Sequence, residues 1–230
     1  MKQIPLAITP PPADSFDSLV VGPNEAVVQH LLTLLPPAAP LYLWGPAGCG
    51  KTRLLRALAA RRQAEGERIA WFDAELPLPW ELEEGLSVVV VDRCDELDAA
   101  HQQAAFALFV QAEAQGVQWA AAGRVPPVDL PLRDDLRSRL GWGHVFAVQP
   151  LSEVEARAAL RREADRRGIF LSDEVMGYLL TRLPRDLGHL MGLLDRLDGY
   201  ALAAHRQVTV PLLKSMLAEE GGPPGEGAAA

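Results

Sequence analysis

Gly45-Pro46-Ala47-Gly48-Cys49-Gly50-Lys51-Thr52 sets three glycines, a lysine and a hydroxyl at G-x-x-x-x-G-K-[ST] spacing. Each of these residue types has a task in phosphate chemistry. Glycines let the backbone curl until successive N–H groups face phosphate oxygens. Lys51 can reach the β- and γ-phosphates of a nucleotide, and the Thr52 hydroxyl can ligate Mg²⁺. A second stretch, Ser87-Val88-Val89-Val90-Val91-Asp92, reads as a strand buried on both faces that ends in a carboxylate. Ligands of open α/β sheets gather at that end of the strands, so Asp92 is the candidate partner of Thr52 in holding the metal. A plain turn-forming aspartate is the alternative, and the phosphate loop upstream argues against it.

Elements on both sides suit that chemistry. Residues 40–44 read as a short buried strand running into the loop, and 51–63 as the helix leaving it, with Leu54, Leu55, Leu58 and Ala59 at helical spacing. Phosphates held there would sit at a helix N-terminus, where the dipole favours anions. Upstream, a helix starts at Pro23 or Asn24, carries Val27, Val28, Leu31, Leu32 and Leu35 on its apolar face, and stops at Pro36-Pro37. Downstream come a strand at 68–73, a connection at 77–86 with one short helical turn, and the valine strand. A helix at 99–115 follows, with Ala105, Leu108, Phe109 and Ala112 on one face, then a strand at 117–122, a loop to about residue 132, a charged helix at 133–140 and a strand at 143–148. The alternation predicts an α/β fold: a parallel five-stranded sheet covered by helices.

After Pro150 the strand patterns stop. Ser152 and Glu155 form a capping box for a helix that ends at Gly168, Ser172 caps a second, and a third spans 185–205 with Leu187, Leu190, Met191, Leu194 and Leu197 as its stripe. A short element at 208–218 closes the pattern. The expected organisation is a flexible tail at 1–15, a nucleotide-binding α/β domain at 16–150, an all-helical domain at 151–220 and a Gly/Pro/Ala-rich disordered tail at 221–230.

The 230 residues carry a formal charge of −8, which opposes broad nucleic-acid affinity. Cys49 and Cys94 fit no metal-ligand spacing and read as reduced thiols of a cytoplasmic protein. There is no signal-peptide pattern and no apolar run long enough for a membrane span. Within the tail, Gln3-Ile4-Pro5-Leu6-Ala7-Ile8 exposes a glutamine followed by aliphatic residues. Such a segment either folds back on its own domain or docks in a partner's apolar pockets.

An α/β P-loop domain followed by a helical domain resembles the AAA+ class. Phe16-Asp17-Ser18-Leu19-Val20-Val21-Gly22-Pro23-Asn24 is similar to the DnaA segment that lies against the adenine, which implies a nucleotide contact at Val21. Leu136-Arg137-Ser138-Arg139-Leu140-Gly141-Trp142-Gly143 is similar to the DnaA segment carrying the arginine finger, and Gly123-Arg124-Val125-Pro126-Pro127 looks like the sensor 1 region. With no DNA-binding domain expected after the lid, and with residues 3–8 resembling a sliding-clamp-binding peptide, the chain resembles the Hda family of DnaA regulatory inactivators. That resemblance implies ADP (or ATP) with Mg²⁺ as cofactors, and DnaA and the β sliding clamp of DNA polymerase III as partners. It also implies Arg139 as a finger acting in trans, with Arg137 as the fallback. It implies no sequence-specific DNA contact and leaves a nucleotide-dependent homo-oligomer open.

Three departures point to poor hydrolysis by the chain itself. Arg93 stands where AAA+ ATPases carry an acid after the Walker B aspartate, and Gly123 falls at sensor 1. Gly188 falls at sensor 2, with Arg185 as the nearby substitute. The competing reading is an autonomous P-loop ATPase such as a helicase loader.

Overall fold

Along each strand alternate side chains face opposite sides of the sheet, and in this protein both sides are apolar. Val88 and Val90 face one layer, Val89 and Val91 the other, and all four are buried. The computed structural model describes residues 15–182, 187–204 and 206–220, so the peptide at 3–8 and Arg185 lie outside the described residues. The chain divides into two units, Pro11–Leu151 and a second that begins at Ser152.

In the first unit, five parallel strands pair in the order β2-β3-β4-β1-β5: β1 Leu41–Trp44, β2 Arg68–Phe72, β3 Leu86–Val91, β4 Gln118–Gly123 and β5 His144–Ala147. Helices α1 (Glu25–Thr33) and α2 (Lys51–Ala64) cover one face through Val27, Val28, Leu31, Leu54, Leu55 and Leu58. Helices α3 (Ala99–Gln115) and α4 (Asp134–Leu140) cover the other through Leu108, Phe109, Leu136 and Leu140. The core residues expected for α2 and α3 are all buried.

Where β4 passes under α2 its inward residues are only Ala120 and Ala122, both fully buried. These methyl groups let the helix lie close to the sheet. Two buried polar side chains tie loops to this core. Gln118 accepts from the Ala38 amide (2.8 Å) and donates to the Ala39 and Trp119 carbonyls. Asn24 exchanges two hydrogen bonds with the Gln149 backbone, 2.9 and 2.8 Å, and so joins the start of α1 to the exit of β5.

Three local expectations need correction. Leu35 is 77% exposed, because α1 ends at Thr33: a residue preceding proline is pushed out of the α region. No helical turn forms between residues 77 and 86, where Pro77 and Pro79 lack the N–H groups a helix needs. The segment instead passes beside β2, with the Trp80 ring tilted against Phe72 (centroids 5.1 Å apart) and Arg68 paired to Glu83 at 2.6 Å. The last helix lies two residues further along the chain than expected, because Thr209 caps it and Pro211 fits its first turn.

The second unit is all helical among its described residues: α5 Glu153–Arg167, α6 Asp173–Arg182, α7 Leu187–Ala204 and α8 Val210–Glu220. Ser152 and Glu155 form the capping box of α5. Leu160, Leu179, Leu180, Leu190, Leu194, Leu197 and Leu213 form the core of this unit. No described helix is long and apolar enough to cross a membrane.

The Ala122→Ile variant tests the close approach of α2. Overpacking there should cost about 1–3 kcal/mol, seen as a lower denaturant midpoint with an unchanged m-value.

Candidate functional site: a glycine-rich loop and the Thr52–Asp92 pair

Strand β1 ends at Trp44, and the chain then turns through Gly45, Gly48 and Gly50 with φ of +156°, +76° and +106°. Gly45 is needed for space as well as for its φ, since a Cβ there would lie 2.3 Å from the Val148 carbonyl oxygen. Its N–H donates to the Gly123 carbonyl at 3.3 Å, which fastens the loop to the end of β4. The loop opens into α2, whose first N–H groups have no carbonyl of the same helix behind them. The arrangement is an anion cradle.

Lys51 folds back over the loop, donating to the Gly45 and Pro46 carbonyls at 2.7 and 2.9 Å and lying 3.7 Å from Cys49 Sγ. A phosphate would exchange these neutral dipoles for full negative charge, and charge-assisted bonds are the stronger ones. Thr52 Oγ1 donates to Asp92 Oδ2 at 2.7 Å, so a hydroxyl and a carboxylate already stand together at the helix start. Asp92 is 3% exposed, and its other oxygen accepts from the Arg93 N–H at 3.0 Å. Burial raises its pKa, against the Thr52 and Arg93 hydrogen bonds and the Arg93 and Lys51 charges, which lower it. A cation would relieve that burial. Among the described residues no cluster of three His, Cys, Asp or Glu side chains forms a metal site alone. A cation held through phosphate oxygens and water with few protein ligands, as Mg²⁺ usually is, suits this pair.

The residue after Asp92 points elsewhere. Arg93 adopts φ +50°, in the left-handed region, and its guanidinium pairs with Asp73 (3.0 Å), Glu75 (2.9 Å) and Glu96 (3.6 Å). Glu75 and Asp73 raise its pKa still further, against a smaller lowering by burial. The acids that follow, Asp95 and Glu96, are engaged by Arg124: Asp95 accepts its N–H at 3.1 Å and lies 3.4 Å from its Nε, and Glu96 pairs with Nη2. Both acids near Asp92 are thus occupied by arginines.

Val21 lies half-buried before α1, in a segment packed on the same face of the sheet as α2 and tied to it by a 3.1 Å bond from Arg53 to the Ser18 carbonyl. Arg139 is carried by α4, on the opposite face. Its guanidinium stacks 4.0 Å from the Trp142 ring, lies 5.8 Å from Phe109 and sits 3.4 Å from Glu113. Arg137 is held by Asp134 at 2.6 Å. The structure therefore brings together the loop, Lys51, Thr52 and Asp92, and displays Arg139 elsewhere. Both cysteines are free and buried. Sequence reasoning passed over Tyr42, which reads as one more apolar strand residue, and named Trp142 only within the finger segment, though it is 63% exposed. An indole beside a helix-end arginine was the available signal for Trp142.

Residues 153–217 match the family model of the Hda lid domain. The chain is similar to domain III of the replication initiation protein DnaA from Thermotoga maritima, with a TM-score of 0.73 at 22% identity, over 94% of this chain and 100% of that one. AMPPCP-bound DnaA from Aquifex aeolicus gives 0.63 at 19%, over 82% and 66%. The RuvB Holliday junction branch migration motor of Thermotoga maritima gives 0.61 at 17%, over 90% and 72%. At these identities the solved structures carry the fold alone.

The buried Asp92 carboxylate yields a stability test. Asp92→Asn keeps the shape, and the Thr52 hydroxyl can turn to accept from the new amide. The nucleotide-free variant should unfold at least as high in temperature as the parent, while Mg²⁺ no longer improves nucleotide affinity. Calorimetry with and without Mg²⁺ checks both.

Proposed function

We propose that this AAA+ protein, DnaA-related and carrying an Hda-type lid, is a nucleotide-holding negative regulator of chromosomal replication initiation that works in the cytoplasm. Its own site retains nucleotide, ADP in the working state. The loop amides and Lys51 hold the phosphates, Thr52 and Asp92 hold Mg²⁺, and Val21 lies against the base. Residues 3–8 dock on the DNA-loaded sliding clamp. Arg139 is offered in trans to ATP bound by the initiator DnaA and stimulates its hydrolysis there.

One observation carries this reading: the Thr52 hydroxyl meets the buried Asp92 carboxylate beside the glycine loop, while the place after Asp92 holds an arginine tied to three carboxylates. Such a site binds without a group to activate water. The chain's useful chemistry then lies in what it presents to another site. Arg139 suits that task, since its guanidinium is held against an aromatic surface rather than turned into the chain's own phosphate loop. An arginine finger supplied in trans stabilises charge on the transferring phosphoryl group, an effect of about 10³–10⁵ in rate in GTPase systems. Docking on the clamp would raise the local concentration of the finger near newly replicated DNA.

The isolated protein should bind ADP tightly and turn over ATP slowly; rapid turnover would overturn the regulator reading in favour of an autonomous ATPase or loader. The decisive assay is phosphate release from ATP-bound DnaA with DNA-loaded clamp, comparing the parent with Arg139→Ala. Stimulation by the parent alone supports both the function and the finger. Stimulation by both moves the finger, with Arg137 next to be replaced, and stimulation by neither sinks the proposal. Deleting residues 1–9 should abolish retention on the clamp and leave ADP binding intact.

A further inference from the structure

Gly123 occupies the last position of β4 with no unusual φ, so backbone freedom does not explain a glycine there. Space does. A Cβ at 123 would lie 2.3 Å from Tyr42 Oη, 3.1 Å from Cys94 Sγ and 3.3 Å from Asp95 Oδ1. A hydroxyl from β1, together with a thiol and a carboxylate from the turn after β3, converges on the volume a side chain at 123 would fill. Tyr42 is fully buried and donates its single proton to the Val125 carbonyl at 2.8 Å. Burial, Cys94 and Asp95 raise the phenol pKa, and burial and Asp95 raise that of the thiol, so both groups stay neutral.

The residue at stake is also the one that holds the phosphate loop, because the Gly123 carbonyl accepts from the Gly45 N–H. We infer that Tyr42 is a positioning residue of the phosphate loop, acting through Gly123: its hydroxyl fixes residues 123–125 and so sets where Gly45 begins the cradle. The polar group that a side chain at 123 would bring to this edge of the sheet is delivered instead from β1. The pairing is mutual. Tyrosine at 42 requires glycine at 123, and glycine at 123 leaves room for the hydroxyl. Asp95, which meets the same volume, also receives the Arg124 N–H, so the backbone just after Gly123 is tied down at two successive residues.

This inference rests on the nucleotide site of the proposed function. It is tested by titrating ADP with Mg²⁺ into the full chain by calorimetry, well below the melting temperature, for the parent, Tyr42→Phe, Gly123→Ala and the double variant. Tyr42→Phe should weaken ADP binding about tenfold, with circular dichroism unchanged. Gly123→Ala should weaken it more. In the Tyr42→Phe background, where the 2.3 Å contact has gone, the alanine should cost much less, so the two effects fail to add. Trp119→Phe, in the same apolar layer, should lower the melting temperature without changing ADP affinity. Unchanged ADP affinity in folded Tyr42→Phe, or an alanine cost equal in both backgrounds, overturns the positioning role and leaves the nucleotide site standing. A parent that binds no ADP removes both.

Discussion

Helix α2 must reach across one strand. It begins at the end of β1, and the carboxylate that Thr52 meets stands at the end of β3, with β4 in between. The 2.7 Å bond between Thr52 and Asp92 is available only if the helix lies low over β4, and β4 offers it only Ala120 and Ala122. The rest of the site follows from that approach. The loop needs Gly45 because it passes against the Val148 carbonyl, and the Thr52 hydroxyl is brought to a buried carboxylate.

Around this centre the charges are paired off. Asp92 is kept buried with a hydroxyl and an amide as its hydrogen-bond partners. The other nearby acids, Asp95 and Glu96, are spent on Arg124 and Arg93. Arg93 holds its left-handed conformation because Asp73 and Glu75 engage its guanidinium from the end of β2 and the turn beyond it. Arg139 stands apart from this network, on the other face of the sheet, with aromatic rings for neighbours.

The elements that carry periodic apolar patterns were legible in the sequence. The valine run, the Leu54–Leu58 spacing and the Ser152–Glu155 box each report a local cause, and the structure has them where expected. The phosphate loop was legible for a similar reason: its chemistry is local in the chain. What was not legible depends on contacts between distant segments. Tyr42 and Gly123 constrain one another across two strands, and neither is unusual in its own stretch. Asn24 and Gln149 are separated by nearly the whole sheet, and nothing near either predicts their paired bonds. The errors at Leu35 and at 77–86 have a different origin. Both lie beside prolines, which remove donors and bias their predecessors away from helix.

The segment beside β2 has a bearing on solubility. An open parallel sheet ends in strands whose outer backbone groups can template a foreign strand. At one edge, residues 76–86 return past β2, with the Arg68–Glu83 pair and the Trp80–Phe72 contact holding them there. At the other, β5 is four residues long and begins with an exposed histidine. Neither edge is a long, flat, apolar strand, and the valine-rich β3, which is the part of the chain most suited to amyloid-like stacking, is screened from an incoming chain by β2 on one side and by β4, β1 and β5 on the other.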